Sequence, residues 1–344
     1  LQILDYQHSV IRSLLHMLIQ TLEEAGESVD SLRQYIELVD AQDLLAQCGR
    51  VKGSSFLPIL SMIIDNPRKP FLALNMVNNY RPVTLNALGP LCYSCKTVEE
   101  NVELLIKHCT MVSTGSVVRT IKTEDNWFVY AESTHGKLSE TNMQFAWVCL
   151  MYAHFKFSIS PDFVFHKVCF STAKPQQKYV DQIQKVFNTE IEFDAPMTGF
   201  YLTKGQLEIE QIGYDPQIYD VNQKLVEEYT KRFEHFELPT RIYSNIIDLM
   251  KKGVFSKEAI ARELGMSTRS LSQKIKQFGL NYRDISENAR MTLAKEYLSN
   301  LDLKLVEVAE KLCFSENSNF TRSFKAHTGE TPREFRSKLK NESV

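Results

Sequence analysis

No stretch of the chain approaches the ~20 uninterrupted apolar residues that a membrane-spanning helix requires. The apolar run nearest the start, VIRSLLHMLIQTL at residues 10–22, is broken by Arg12, His16 and Gln20 and lacks a small-residue cleavage site. It therefore does not read as a signal peptide. Both absences lead us to expect a soluble protein of the cytoplasm with no membrane partner. A disulfide framework is missing too. The seven cysteines, at 48, 92, 95, 109, 149, 169 and 313, are odd in number and irregularly spaced, which fits free, buried thiols in a reducing compartment. Cys92 and Cys95 have the spacing of half a zinc site, but no second Cys pair or close His pair follows. His108 and Cys109 are a poor substitute, so no metal or other cofactor is expected.

Catalytic signatures are also lacking. The chain has no Walker loop, no nucleophile elbow and no dinucleotide fingerprint. His8, His16, His108, His135, His154 and His166 are scattered without paired-ligand spacing. The expectation is a protein that is not an enzyme.

What is present is size and an uneven charge. At 344 residues, 43% apolar and 24% charged, the chain has the length and composition of two globular domains. The net charge of −2 conceals an asymmetry. Residues 240–344 carry 19 Lys and Arg against 13 Asp and Glu, whereas residues 1–239 carry 21 against 29. A basic C-terminal third on an acidic body fits one domain that meets a polyanion and one that does not.

Apolar periodicity predicts helices over 4–22, 30–47, 97–109, 139–156, 175–188 and 217–236. Thr97 with Glu100 three positions on forms a capping box for the third of these. Strands are predicted at 115–122 and 126–132, where β-branched and aromatic residues dominate, and further strands at 163–171, 190–193 and 199–203. Gly49, Gly53 and the run DNPRKP at 65–70 mark turns. Beyond Pro239 no strand-like run survives, so the division is placed at 238–241: an α/β domain over 1–238, a linker at 239–241 and an all-α domain over 242–344.

The helical end repeats itself. IARELGMSTRSLSQKI at 260–275 aligns with VAEKLCFSENSNFTRSF at 308–324. Ala261, Leu264 and Ser267 recur 48 residues on as Ala309, Leu312 and Ser315. After one inserted residue, Leu271 and Ile275 recur as Phe320 and Phe324. Each copy carries a small residue where two helices must approach, then a serine able to cap the second helix, then an i, i+4 apolar pair to seat it. Gly265 suits the left-handed turn between the first two helices. Between the copies, apolar residues at 285, 289, 293, 294, 297 and 298 predict a continuous helix over 283–300. Some 18 residues at 1.5 Å each make a rod of about 27 Å, able to hold two helices about one DNA turn apart.

With the apolar pairs turned inward, Arg269, Gln273 and Lys276 project outward from the first copy, flanked by Ser272 and Lys274. Ser318 and Arg322 project from the second, with Lys325 beside them and Asn317 and Asn319 at the exposed start. Arg grips guanine O6/N7 with two hydrogen bonds, and Asn or Gln does the same for adenine N6/N7. Lysines hold phosphates, which position a protein without reading sequence. A solvated bundle face is the plainer explanation for one such helix. Two copies, a rigid spacer and a positive domain weigh against it.

Residues 242–336 resemble the DNA-binding domain of the AraC/XylS transcription regulators. The likeness rests on Ala261, Leu264, Gly265, Ser267, Leu271, Gly279, Arg290 and Ala294. It also rests on Ala309, Phe314-Ser315, Ser318, Phe320, Arg322, Phe324-Lys325, Thr328-Gly329, Pro332 and Phe335-Arg336. Carried over by position, the resemblance implies base reading by Arg269, Ser272 and Gln273 in the first helix-turn-helix unit. In the second it implies base reading by Asn317, Ser318, Asn319 and Arg322. Lys274, Lys276 and Lys325 are the expected phosphate contacts. Cys313 departs from the glycine usual before the aromatic residue, a change the turn tolerates if its backbone stays right-handed.

The N-terminal 238 residues are similar to the effector domain of longer members such as the ornithine-utilisation regulators. LGPLCYSCKTVEENVELLIKHC at 88–109, the segment 165–196 and LTKGQLE at 202–208 carry that similarity. Cys92 and Cys95 stand where those relatives carry glycines. The fold implied is an α/β N-terminal sensor domain, not a β-barrel, plus an all-α C-terminal domain with two helix-turn-helix units joined by a long helix. The function implied is a sequence-specific, activating transcription regulator of the nucleoid. Its expected partners are double-stranded promoter DNA, RNA polymerase, a small-molecule effector and a second copy as homodimer. The competing expectation is an effector-independent architectural DNA-binding protein. A relative of this DNA-binding domain occurs in a DNA-repair methyl acceptor whose cysteine lies beside Pro and His, a setting no cysteine here has. Trp127, Phe128, Tyr130, Trp147, Tyr152, Phe155 and Phe157 are expected in packing, and no effector-pocket residue is assigned.

Overall fold

In a computed structural model the described residues are 9–30, 49–133, 140–233, 238–277 and 280–341. They fall into two compact units that meet in sequence between residues 233 and 238. From residue 31 on, the helix expected over 30–47 lies outside the described residues, as do His8, Cys48, His135 and Gly279.

The N-terminal unit is α/β. It opens with β1 (Ser9–Ile11) and α1 (Arg12–Glu24), then β2 (Arg50–Lys52), which pairs antiparallel with β1, and α2 (Gly53–Ile64). The helical stripe expected from residue 4 thus begins, among described residues, only at Arg12. Gly53, expected in a turn, starts α2. Short helices α3 (Met76–Asn79) and α4 (Leu88–Ser94) lead into α5 (Val98–Val112). Thr97 caps α5 by accepting from the Glu100 amide, while the Glu100 carboxylate accepts from the Lys96 amide. The reciprocal bond of a capping box therefore reaches one residue further back than the spacing implied.

Next come β3 (Ser116–Lys122), β4 (Asn126–Ser133), α6 (Glu140–Ser158), β5 (Lys167–Cys169) and α7 (Gln177–Phe187). They are followed by β6 (Glu190–Glu192), β7 (Gly199–Thr203), α8 (Lys204–Leu207) and α9 (Pro216–Phe233). The five strands from β3 form one sheet in the order β3-β4-β7-β5-β6. β7 is antiparallel to both neighbours, with Phe128 opposite Tyr201 and Val168 opposite Phe200, whereas β5 and β6 run parallel. The strand expected over 163–171 is confined to three residues, and Phe163 and Phe165 fill the core from the segment before it. Phe165 stacks on Phe200 at 3.9 Å, and Tyr152 and Phe155 of α6 close around them. Phe157, by contrast, is exposed.

Behind this core lies a closed polar chain. The Tyr80 hydroxyl bonds to His154 Nδ1 at 2.7 Å, and His154 Nε2 meets Asn101 Oδ1 at 2.8 Å. Asn101 Nδ2 donates to Gln211 Oε1, whose own amide donates to the Cys92 carbonyl and to Cys95 Sγ. An amide oxygen can only accept, so His154 carries its proton on Nε2 and accepts from Tyr80 on Nδ1. Burial holds His154 neutral, its pKa lowered to about 3. Burial also raises the Cys92 and Cys95 thiols, the latter to about 12. The pair that resembled half a metal site is a buried hydrogen-bond terminus, and among the described residues no cluster of His, Cys, Asp and Glu is placed to hold a metal. No described helix is long and apolar enough to cross a membrane.

The C-terminal unit is helical throughout its described residues: α10 (Leu238–Lys251), α11 (Lys257–Glu263), α12 (Thr268–Gln277), α13 (Tyr282–Ser299), α14 (Leu305–Lys311), α15 (Asn317–Thr328) and α16 (Pro332–Asn341). Residues 239–241, expected as a linker, lie in the first turn of α10. A proline fits there because an amide at that position has no intrahelical partner to lose.

Candidate nucleic-acid interface

Each polar face is positioned by the apolar pair behind it. α11 and α14 have seven residues each and begin 48 residues apart, while α12 and α15 begin 49 apart. The internal repeat is therefore a structural repeat. Leu271 and Ile275 bury the inner face of α12, and Phe320 and Phe324 that of α15. The aromatic run continues from Phe314 through Phe320 and Phe324 to Phe335, with ring centroids 5.5–5.7 Å apart. Ala261 and Ala309 are both buried where the paired helices meet. The 18-residue α13 packs against α10, α14, α15 and α16, so it is the beam of the unit. Arg290 of α13 lies over both Phe255 and Phe314, at 4.2 and 4.6 Å from the ring centroids.

The turns are alike in backbone. Gly265 (φ +64°) donates to Arg262 O and Met266 to Ala261 O; Cys313 (φ +57°) donates to Glu310 O and Phe314 to Ala309 O. The condition under which the turn would take Cys313 without strain, a right-handed backbone, is therefore not met. The hydrogen bonds that end α14 are those that end α11, and they demand the same left-handed residue whatever its side chain.

The starts of the second helices differ. Ser267 caps α12 by accepting from the Ser270 amide at 3.1 Å. Ser315, expected to do the same for α15, does not, because the inserted residue makes Glu316 the N-cap, without a side-chain cap. Ser315 Oγ instead accepts from Asn319 Nδ2, and Asn319 Oδ1 accepts from Arg322 Nη2 at 2.9 Å.

Of the expected base readers, Arg269, Gln273, Asn317, Ser318 and Arg322 are exposed, and Ser272 and Asn319 are half-buried. Arg269 and Gln273 project from one face of α12; Ser318 and Arg322 occupy the corresponding positions on α15. The Ser272 hydroxyl donates to the Thr268 carbonyl at 2.7 Å, and Ser318 donates to Glu316 Oε2 at 2.9 Å. Lys276 and Lys325 are exposed and Lys274 is half-buried on the flank. Sequence reasoning missed the Ser315–Asn319–Arg322 chain, although the i, i+4 and i+3 spacing of these polar residues was its visible signal.

Helices seated on a packed apolar base, with Arg269 and Arg322 exposed on their outer faces, give the C-terminal unit the character of a helix-turn-helix domain. The profile of the family described as helix-turn-helix domain matches residues 260–338. That of the arabinose-binding domain of AraC transcription regulators, N-terminal, matches residues 33–208. The chain belongs to the AraC family of transcription regulators. It is 30% identical over 166 residues to the ornithine utilization regulator of Pseudomonas aeruginosa, an alignment covering 48% of each chain. It is 38% identical over 88 residues to the regulator VirS of Mycobacterium tuberculosis, covering 26% of each. These alignments thus span about half the length of the first relative and a quarter of the second. Among solved structures, the regulator CdpR of P. aeruginosa aligns over 94% of this chain and 97% of its own at 18% identity, with a TM-score of 0.47.

Proposed function

We propose that the chain is a sequence-specific transcription regulator, acting as an activator on chromosomal promoters in the cytoplasm. In this reading α12 and α15 are the recognition helices of two helix-turn-helix units, spaced by α13 to enter successive major grooves of one duplex. The observation that carries it is the matched pair of outward faces, Arg269–Gln273–Lys276 and Ser318–Arg322–Lys325, each seated by a buried apolar pair. Arg322 is pre-oriented by Asn319, so less side-chain entropy is lost when its guanidinium grips a base. Asn317, Ser318 and Asn319 sit in the first turn of α15, where a recognition helix meets base edges. Ser272 and Lys274 flank α12 and reach the groove wall.

The N-terminal unit is then the effector sensor and the site of dimerisation, and RNA polymerase the further partner. Support for a homodimer comes from α9, whose Ile218, Val221 and Leu225 form an exposed apolar stripe at helical spacing. Selection of bound sites from random duplexes, repeated with candidate metabolites, tests the whole reading. A defined preferred site is expected. Equal affinity for all duplexes with a steep salt dependence would instead identify a shape- and charge-reading architectural protein.

A further inference from the structure

The N-terminal unit is acidic as a whole, yet one groove on it is not. This groove, of about 710 Å³, runs between the 65–70 turn and α7, and its wall carries Arg68, Lys69, Lys156 and Lys185 without a single carboxylate. Lys69 is committed, since it bonds to the Ala25 carbonyl and lies 3.6 Å from Glu27. Among the described residues, Arg68 and Lys185 make no ion pair, and the Lys156 ammonium faces only the Tyr152 ring. Three cations left unneutralised on an otherwise negative body define a place for an anion.

Beside the groove is a smaller pocket of about 310 Å³ walled by Ile63, Ile64, Ala73 and Phe145. That volume is at the lower end of small-molecule sites. The one carboxylate on its wall, Asp65, is already engaged within the protein. Pro70 and Phe71 line both spaces. The Phe71 ring touches one residue from each: Phe145 on the pocket side and Tyr179 on the groove side, both at 5.3 Å. Phe71 is held at φ +64°, a conformation that costs a bulky residue about 1–3 kcal/mol and that persists where the surroundings demand it.

We propose that this is an effector site for a small monocarboxylate with an apolar body: the carboxylate bound by Arg68, Lys156 and Lys185, the body lodged in the pocket behind Phe71. The assignment to an effector rests on the reading of the chain as a regulator; the binding chemistry does not. Arg68 offers the two-pronged donor geometry that a carboxylate matches, and the lysines supply charge. A free phosphate satisfies the cations but leaves the apolar pocket unused, and an alkylamine does the opposite.

Calorimetric titration of the full chain with hexanoate, benzoate, hexylamine and inorganic phosphate tests the site. Hexanoate or benzoate should bind saturably, with hexylamine and phosphate at least tenfold weaker. The pair Arg68→Glu and Lys185→Glu should weaken the carboxylate at least tenfold with an unchanged melting midpoint, because both side chains are exposed. Ile64→Trp, filling the pocket from its half-exposed wall, should lose hexanoate binding while phosphate binding stays as it was. Should neither carboxylate bind, should phosphate or hexylamine match them, or should the double variant keep full affinity, the site is refuted. Site selection on the same preparation separates the two readings. Selective DNA binding without carboxylate binding overturns the site and leaves the regulator; carboxylate binding without DNA selectivity does the reverse.

Discussion

Replacing Cys313 by glycine should stabilise the C-terminal unit, and the size of the gain follows from the turn. A non-glycine residue in the left-handed region carries a penalty of roughly 1–2 kcal/mol. Cys313 sits there at φ +57° with an exposed side chain, so removing its Cβ and thiol forfeits no buried surface. Against the gain stands the added freedom of glycine in the unfolded chain, about 0.5–1 kcal/mol. The net expectation is about 0.5–1 kcal/mol in favour of Cys313→Gly, a rise of about 3–5 °C for a unit of this size. Gly265 supplies the reciprocal experiment, because it has the same backbone at φ +64° and a Cβ built there meets no atom within 4 Å. Gly265→Ala should therefore cost a similar amount for purely conformational reasons. Cys313→Ala, which keeps the Cβ and the strain, should change little. Thermal and urea unfolding of the three variants reads the outcome. If Cys313→Gly is neutral or destabilising while Gly265→Ala is costly, the two turns are not equivalent and the strain assigned to Cys313 is wrong.

Arg322→Ala should relax base choice at one position of the selected site by about 1–3 kcal/mol of discrimination; an unchanged preference in the selection removes Arg322 from the readers. Lys325→Ala should weaken all duplexes alike and lower the slope of log affinity against log salt by about 1, and a sequence-dependent loss would contradict a phosphate role. Phe324→Ala should destabilise the C-terminal unit by about 3–5 kcal/mol in urea unfolding, with DNA binding lost alongside; a loss below 1 kcal/mol would mean the aromatic run does not seat α15. Buried His154 adds a pH dependence. Its folded pKa, about 3, lies below the free imidazole value, so the contribution is complete above pH ~6.5 and is lost as pH falls toward 3. The N-terminal unit should lose about 2 kcal/mol between pH 7 and pH 5 from this group, and His154→Gln should flatten that slope.

The helical end was legible because its physics is local and stated twice. Ala261 and Ala309, Leu271 with Ile275, and Phe320 with Phe324 announce helix contact and seating at fixed spacings, and the element boundaries fall within a residue or two of those spacings. The strands at 116–122, 126–133 and 199–203 were visible for the same reason, as runs of β-branched and aromatic residues. By itself the sequence determined which residues turn inward along the repeated helices of the C-terminal unit and the longer strands, because periodicity of side chains depends only on backbone geometry. Long-range contact decided the rest. The pairing of β1 with β2 joins residues some 40 apart, and three-residue strands carry no periodicity of their own. The left-handed backbone of Cys313 is imposed by hydrogen bonds to Glu310 and Ala309, against the preference of its own side chain. A single inserted residue moved the cap of α15 from Ser315 to Glu316 and released Ser315 to orient Asn319, and through it Arg322. Cys92 and Cys95, a metal-like pair in the sequence, became acceptors for Gln211, 116 residues beyond Cys95, because only folding brings that amide to them. Spacing along the chain set the faces; which partner each face met was fixed by packing between segments that the chain holds far apart.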